Sequence, residues 1–297
     1  MENNKKTRDF VIIEREENMQ KISFTKMSGS GNDFIVIDNR KKIVKNPSAF
    51  AKKYCDRKFG VGADGILLVE NSKIADFRMV YYNSDGSRAS FCGNGARCIS
   101  LFAYTNNIAP QKMSFESDAG LITSEIKNDI SCHCERSASW RRAWQSCYVK
   151  IKMPNPKDIK QNIEIKVDNR KLDVSFANTG VPHVLVYVKD IKNIDVNDLG
   201  RKIRWHKAFQ PKGTNVNFVK ILGKNKIQVR TYERGVEAET LACGTGVVAS
   251  SVISITKGLA LSPVNALTQG GEILKVYHDC CNTFFEGKVN ITFEGKI

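Results

Sequence analysis

The chain has no apolar run long enough to cross a bilayer. The longest candidate, around 247–255, is interrupted by serines and closed by Lys257 and Gly258, short of the ~18 residues a span needs. A secretory leader is also missing, because the opening MENNKKTRDFVIIEREENMQ mixes acids and bases without a sustained apolar core. A cytoplasmic location with no membrane association is expected. No dense Lys/Arg block occurs either, although the formal net charge is +15. Lysines dispersed along the whole chain read as a solvated basic surface that attracts small anions, and no nucleic-acid partner is expected. Standard zinc spacing is absent: Cys132-His133-Cys134 with Cys147 is not a recognised ligand pattern, so no metal is expected. His206 and His278 stand without a partner pattern. The nine cysteines are odd in number, and without an export signal they read as reduced thiols. Cys98 is expected in the core, and Cys280-Cys281 at a strand end.

What is present is ordinary for a globular protein: 297 residues, 41% hydrophobic and 26% charged, enough for two domains of about 130 residues each. Residues 1–20 read as a charged extension, with Met19 an alternative start just before the first strand. Strands are expected at 22–24, 34–38, 65–70, 76–82, 113–117, 121–126 and 148–153, with a short helix from Pro47 to Tyr54 and a longer one over 94–105. Residues 128–147 lose all period and read as an insertion. Past the Pro154/Pro156 breaker, strands are expected near 162–168, 171–177, 183–188, 215–221, 227–232, 273–278, 284–286 and 289–293. Helices are expected over 196–203 and 244–257. Strands without regular βα alternation give an α+β class with two domains: 21–153 and 154–287, with 288–297 a final strand returning to the first.

Gly60-Val61-Gly62-Ala63-Asp64-Gly65 matches the spacing of a dinucleotide fingerprint. That fingerprint must open a helix, whereas Ile66-Leu67-Leu68-Val69 continues as a strand, so a structural turn is expected. Two other turns carry chemistry. Cys92-Gly93-Asn94-Gly95-Ala96 and Cys243-Gly244-Thr245-Gly246-Val247 each place a cysteine and exposed backbone N–H groups at a helix start. They suggest related halves facing each other across a cleft. A helix start carries roughly half a positive charge, which is expected to lower a thiol pKa from about 8.5 toward neutrality and to hold a carboxylate. Tyr82-Asn83 and Tyr232-Glu233-Arg234 end strands that return beside these turns. Arg234 suits bidentate carboxylate binding.

At these residues the chain resembles diaminopimelate epimerases, from about Lys21 to the C-terminus. The resemblance is carried by Gly29-Ser30-Gly31-Asn32-Asp33-Phe34, Gly60-Val61-Gly62-Ala63-Asp64, Asn83-Ser84-Asp85-Gly86-Ser87 and Cys92-Gly93-Asn94-Gly95-Ala96-Arg97-Cys98. It continues through Gly180-Val181-Pro182-His183, Tyr232-Glu233-Arg234-Gly235 and Cys243-Gly244-Thr245-Gly246. It implies two pseudo-symmetric domains, each a mostly antiparallel curved sheet wrapped round a central helix, with the site between them. It also implies a cofactor-free enzyme interconverting L,L- and meso-diaminopimelate for lysine and cell-wall precursor synthesis, a homodimer being compatible with it. By position, the resemblance makes Cys243 the proton acceptor and Cys92 the donor in the L,L to meso direction. Asn32, Asn83, Asn215, Glu233 and Arg234 become substrate contacts, Gly93-Asn94 and Gly244-Thr245 the carboxylate cradles, and His183 and Glu233 the residues that adjust thiol basicity. The chain departs from the family pattern where some members carry Gln at Gly65 and Asn at Val181. It also has one extra residue between Glu233 and Cys243, expected to form a bulge, and the segment 128–147. A proline or hydroxyproline isomerase fits less well, because those cysteine turns usually read Pro-Cys-Gly-His and Ser-Pro-Cys-Gly-Thr.

Overall fold

A computed structural model describes residues 21–127 and 146–297. The expected extension 1–20 and most of the expected insertion, including Cys132, His133 and Cys134, lie outside the described residues. At the end of the expected segment, Ser146 and Cys147 already belong to a strand.

The chain opens with β1 (Ser23–Gly29) and β2 (Asn32–Asp38), α1 (Pro47–Tyr54), β3 (Gly65–Glu70), β4 (Phe77–Asn83) and the short β5 (Arg88–Ala89). Then come α2 (Gly93–Thr105), β6 (Lys112–Ser117), β7 (Gly120–Lys127) and β8 (Ser146–Met153). β9 (Lys157–Val167), β10 (Arg170–Asn178), β11 (Pro182–Tyr187), α3 (Val196–Arg204), β12 (Asn215–Gly223), β13 (Lys226–Glu233) and β14 (Ala238–Thr240) follow. The chain closes with α4 (Gly244–Thr256), β15 (Val264–Leu267), β16 (Ile273–His278) and the long β17 (Thr283–Lys296). The sequence pattern had not separated β5, β14 and β15, and it had divided β17 in two.

Local chemistry explains several of these boundaries. Ser30 (φ 52°) and Gly31 (φ 87°) are both left-handed, the two-residue loop that matches strand twist in a tight hairpin. Asn46 caps α1 by accepting from the Ala49 N–H at 3.1 Å, with Pro47 at the first helical position. Asp195 caps α3 through the Asp198 N–H at 2.9 Å. The run 60–64 is a turn leading into β3 and opens no helix.

One order of strand pairing occurs twice. β1 and β2 are antiparallel, β2 and β3 parallel, β3 and β4 antiparallel, β4 and β6 parallel, β6 and β7 antiparallel. β10 and β11, β11 and β12, β12 and β13, β13 and β15, β15 and β16 repeat that series of senses. A parallel pair needs a crossover, usually a helix, and α1, α2, α3 and α4 supply the four crossovers. β8 pairs with β17 over Ser146–Met153; beyond this, β9 pairs with β10, while the end of β17 pairs with β1.

α2 packs on β1, β2, β3, β7, β8 and β17, and α4 on β10 to β13, β15 and β16. Both are enclosed: Asn94 to Ala103 and Gly246 to Ser254 are buried on every face, as expected of helices that sheets wrap around. Among the described residues, the cysteines at 55, 92, 98, 147, 243, 280 and 281 are free thiols. No described helix is long and apolar enough to cross a membrane.

Candidate active site

Cys92 is the N-cap of α2 and Cys243 that of α4, both in extended backbone conformation. Their carbonyls accept the first helical hydrogen bonds, from Ala96 N–H at 2.7 Å and Val247 N–H at 2.9 Å. Cys92 Sγ accepts from the Gly95 N–H at 3.4 Å, and Cys243 Sγ lies 3.5 Å from Thr245 Oγ1. The two helix starts meet. A Cβ at Gly244 would stand 3.2 Å from Phe285 Cζ and 3.8 Å from Asn94 Oδ1, and one at Gly93 would stand 3.9 Å from Phe285 Cε1. Phe285, on β17, is thus wedged beneath both turns.

A cavity of about 640 Å³ opens over this meeting point, lined by both cysteines. Asn32, Asn83, Gly93, Asn94, Glu233, Gly244 and Thr245 also line it, as does Val181. Ser30, Tyr81, Phe91, Met153, Val236, Glu239, Leu241 and Phe285 are among the other lining residues, and the sequence pattern had assigned them no role there. β4 and β13 each end at the cavity, at Asn83 and Glu233.

Three expected site residues are not in the lining. His183 is fully buried; its Nδ1 lies 3.1 Å from Asn217 Nδ2, and its Nε2 has no partner. Asn215 donates to the Pro182 carbonyl at 3.1 Å and accepts from the Arg234 N–H at 2.8 Å. The Arg234 guanidinium donates to the Lys212 carbonyl at 3.1 Å. Asn215 therefore fixes the backbone on which Arg234 is carried. Asn217, which the sequence had not singled out, ties three strands beneath α4. It donates to the Val184 carbonyl at 3.1 Å and accepts from Thr231 Oγ1 at 2.9 Å.

A polar chain stiffens the other side. Asn32 donates to Asp64 at 2.9 Å and accepts from Asn94 at 2.8 Å, and Asn94 accepts from Arg97 at 2.8 Å. Gly65 stands outside the lining, and a Cβ there would lie 2.4 Å from the Tyr82 carbonyl. The position has no room for a larger side chain unless the strands move. The bulge expected between Glu233 and Cys243 is absent: β13 and β14 stay in register, joined by the turn 234–237 with left-handed Gly235 and Glu237.

The thiols do not have the lowered pKa expected of helix starts. Burial pushes the Cys243 thiol up to about 12, Glu233 adding to the rise, against smaller opposing contributions from Thr245 and the turn N–H groups. Cys92 is likewise raised by burial, with Glu233 adding, while the Gly95 and Asn94 N–H groups and Arg97 oppose it. Desolvation of a thiolate outweighs the half-charge of the helix start. Glu233 is itself raised by burial. His183 falls to about 3, first through burial and then through Arg234, so it is neutral at physiological pH. Away from the cavity, Asp279, Cys280 and Cys281 bring three ligand-type atoms within 4.8 Å on the exposed turn before β17.

The family profile of diaminopimelate epimerase matches residues 24–135 and 175–292. A diaminopimelate epimerase of Aquifex aeolicus is 41% identical over 289 residues, covering 93% of this chain and 98% of its own. One of Archaeoglobus fulgidus is 42% identical over 287 residues, covering 93% and 96%. Among solved structures, a Bacillus anthracis phenazine biosynthesis protein of the PhzF family has a TM-score of 0.65 at 14% identity, covering 94% of this chain and 99% of its own. A hydroxyproline epimerase from Agrobacterium vitis has a TM-score of 0.62 at 12% identity, covering 94% and 92%. At such identities the likeness is one of fold.

Proposed function

Because the chain belongs to the diaminopimelate epimerase family, we infer that it is a PLP-independent isomerase interconverting L,L- and meso-diaminopimelate. That places it in lysine and peptidoglycan precursor biosynthesis. The observation that carries the residue assignment is the convergence of two cysteine-capped helix starts on one cavity.

In the L,L to meso direction, Cys243 Sγ as thiolate takes the α-proton, and the Cys92 S–H delivers its proton to the opposite face of the same carbon. The electron pair released from the C–H bond rests transiently on the α-carboxylate and returns to carbon as the new C–H bond forms. A thiolate is a weak base for such a proton, so catalysis depends on stabilising the developing doubly charged carboxylate. The N–H groups of Gly93-Asn94 and Gly244-Thr245 face that charge from two helix starts. Glu233 and His183 adjust thiol basicity, one as a nearby carboxylate and the other as a neutral ring carried on β11. Asn32, Asn83, Asn215, Glu233 and Arg234 hold the rest of the substrate, Arg234 exchanging the Lys212 carbonyl for the distal carboxylate. The dispersed positive surface suits a dicarboxylate, and the reading assigns no nucleic acid or membrane.

The reading includes two pseudo-symmetric domains, 21–153 and 154–287, with 288–297 returning to the first. The doubled order of strand pairing supports it. So does the reciprocal run of β9 onto β10 and of the end of β17 onto β1.

Incubation in D₂O tests the assignment. The native enzyme is expected to exchange the α-hydrogen of L,L-diaminopimelate and to leave L-proline untouched. Cys92→Ala and Cys243→Ala are each expected to abolish epimerisation. Full turnover by Cys92→Ala, or exchange into proline alone, overturns it.

A further inference from the structure

Arg97 is the largest fully buried side chain in the described protein. It makes no ion pair: among the described residues no carboxylate lies within reach of its guanidinium. Its acceptors are all neutral. Nη2 donates to Asn94 Oδ1 at 2.8 Å and to Ser30 Oγ, and Nη1 reaches the Gly93 carbonyl at 3.4 Å. Nε is buried with no partner. Its Cζ lies 4.5 Å over the Phe285 ring, the same ring that underlies Gly93 and Gly244. β17 passes directly alongside, so close that a Cβ on Gly287 would stand 3.1 Å from Cζ and Nε.

A guanidinium cannot escape this cost by losing its proton. Burying it unpaired is expensive, and a compact fold would ordinarily answer it with Asp or Glu. Here the answering groups are an amide oxygen, a hydroxyl and a backbone carbonyl, which leave the positive charge uncancelled. That charge lies under the turn where Cys92 ionises and where Asn94 offers its N–H.

We propose that Arg97 is a positioning residue for the epimerisation: its uncancelled charge sits beneath the start of α2, favours the Cys92 thiolate and fixes the Asn94 carboxamide at the cavity wall. The proposal rests on the thiol assignment above. The charged and titratable groups that bear on Cys92 are Arg97, which favours its ionised form, and Glu233, which opposes it; Tyr81 also lies close enough to interact. Cys92, Cys98 and Glu272 act on Arg97 electrostatically without pairing. Cys243 is influenced first by burial and then by Glu233 and its own turn, with no contribution from Arg97, so Arg97 acts on one thiol of the two.

The test compares Arg97→Met, Arg97→Lys and Ser30→Asp with the native enzyme. Each is followed by kcat and KM for L,L-diaminopimelate, and by the pH midpoint of alkylation of the Cys92 and Cys243 peptides, read by mass spectrometry. Arg97→Met is expected to lower kcat by about tenfold or more, since one aimed charge can be worth that much. It is also expected to move the Cys92 midpoint to higher pH and leave that of Cys243 in place. Arg97→Lys keeps the charge and is expected to restore the Cys92 midpoint while kcat stays low, because a lysine cannot bridge Asn94 and Ser30. Ser30→Asp keeps the arginine but hands it a carboxylate. The left-handed backbone at Ser30 tolerates Asp well, so this variant serves even if Arg97→Met fails to fold. It is expected to raise the Cys92 midpoint and depress kcat. Unchanged kcat and midpoint in Arg97→Met, or in Ser30→Asp should the former not fold, overturn the proposal. So do midpoints of both thiols moving together, the mark of general loosening. A native enzyme that exchanges no α-hydrogen would instead sink the reaction assignment, with the Cys92 midpoints still judging Arg97.

Discussion

The Asn94 carboxamide donates to Asn32 Oδ1 at 2.8 Å, joining the first turn of α2 to the β1–β2 hairpin across the cavity wall. Asn32 in turn donates to Asp64, so one small side chain fixes the orientation of the turn that presents Gly93 and Asn94. Asn32→Ala leaves the Asn94 amide without that acceptor. Losing a partly buried hydrogen-bond partner costs about 1–3 kcal/mol, and kcat/KM is expected to fall roughly 10- to 100-fold with the fold retained. Steady-state kinetics beside a circular dichroism melt would check this. An Asn32→Ala enzyme of native kcat/KM would show that the tie has no bearing on the reaction.

The pH profile should be set by two raised thiols. One must be ionised and the other protonated, so kcat/KM is expected to climb with pH through the neutral range and to fall again once both ionise. Glu233 raises both thiols. Glu233→Gln removes that negative charge and makes each thiolate easier to form. The alkylation midpoints of Cys92 and Cys243 are therefore expected to move together to lower pH. Movement to higher pH would contradict the action of Glu233 on both thiols.

Much of this site was legible in the sequence because its parts are local. Cys-Gly-x-Gly before an apolar stretch announces a helix start, and Asn83 and Glu233 end strands a few residues earlier in the chain. The sign of the thiol shift was not legible: a helix start lowers a thiol pKa, but the burial that outweighs it depends on how closely the rest of the chain surrounds the turn. Phe285, Asn217 and the isolation of Arg97 were hidden for a related reason, each being defined by contacts between residues far apart in sequence. The expected gap between 286 and 289 is absent: β17 runs straight through Gly287, where any side chain would strike Leu274 and Arg97. Between Glu233 and Cys243, a turn with a left-handed Glu237 stands where a bulge was expected.

His183 should make the fold acid-sensitive. Folded, it stays neutral down to about pH 3, whereas in the unfolded chain it takes up a proton near 6.5. Between those values the unfolded state binds the extra proton, so the stability is full above about 6.5 and is lost as pH falls toward 3. The loss amounts to a few kcal/mol, at about 1.4 kcal/mol for each pH unit crossed. His183→Gln is expected to flatten the decline in unfolding free energy between pH 6.5 and 4, measured by urea titration. An equally steep decline in the variant would assign the acid sensitivity to other groups.

Gly95 and Gly246 occupy the same place in the two helix starts, three residues after their cysteines, yet alanine should not be equally tolerated. A Cβ at Gly246 would stand 2.3 Å from Asn217 Oδ1 and 3.3 Å from Cys243 Sγ. Asn217 cannot yield cheaply: it is fully buried and holds His183, Val184 and Thr231 at once. At Gly95 the nearest atom is Leu67 Cδ2 at 3.2 Å, the far end of a side chain with other rotamers. Alanine gains up to about 1 kcal/mol of helix propensity at either position. At Gly246 that gain is set against overpacking and broken buried hydrogen bonds worth about 2–4 kcal/mol. Gly246→Ala is therefore expected to lower Tm by several degrees and Gly95→Ala by clearly less, in parallel calorimetric scans. The reverse order would mean that Asn217 can turn aside, and that the tie between α4 and the strands beneath it is looser than its three hydrogen bonds imply.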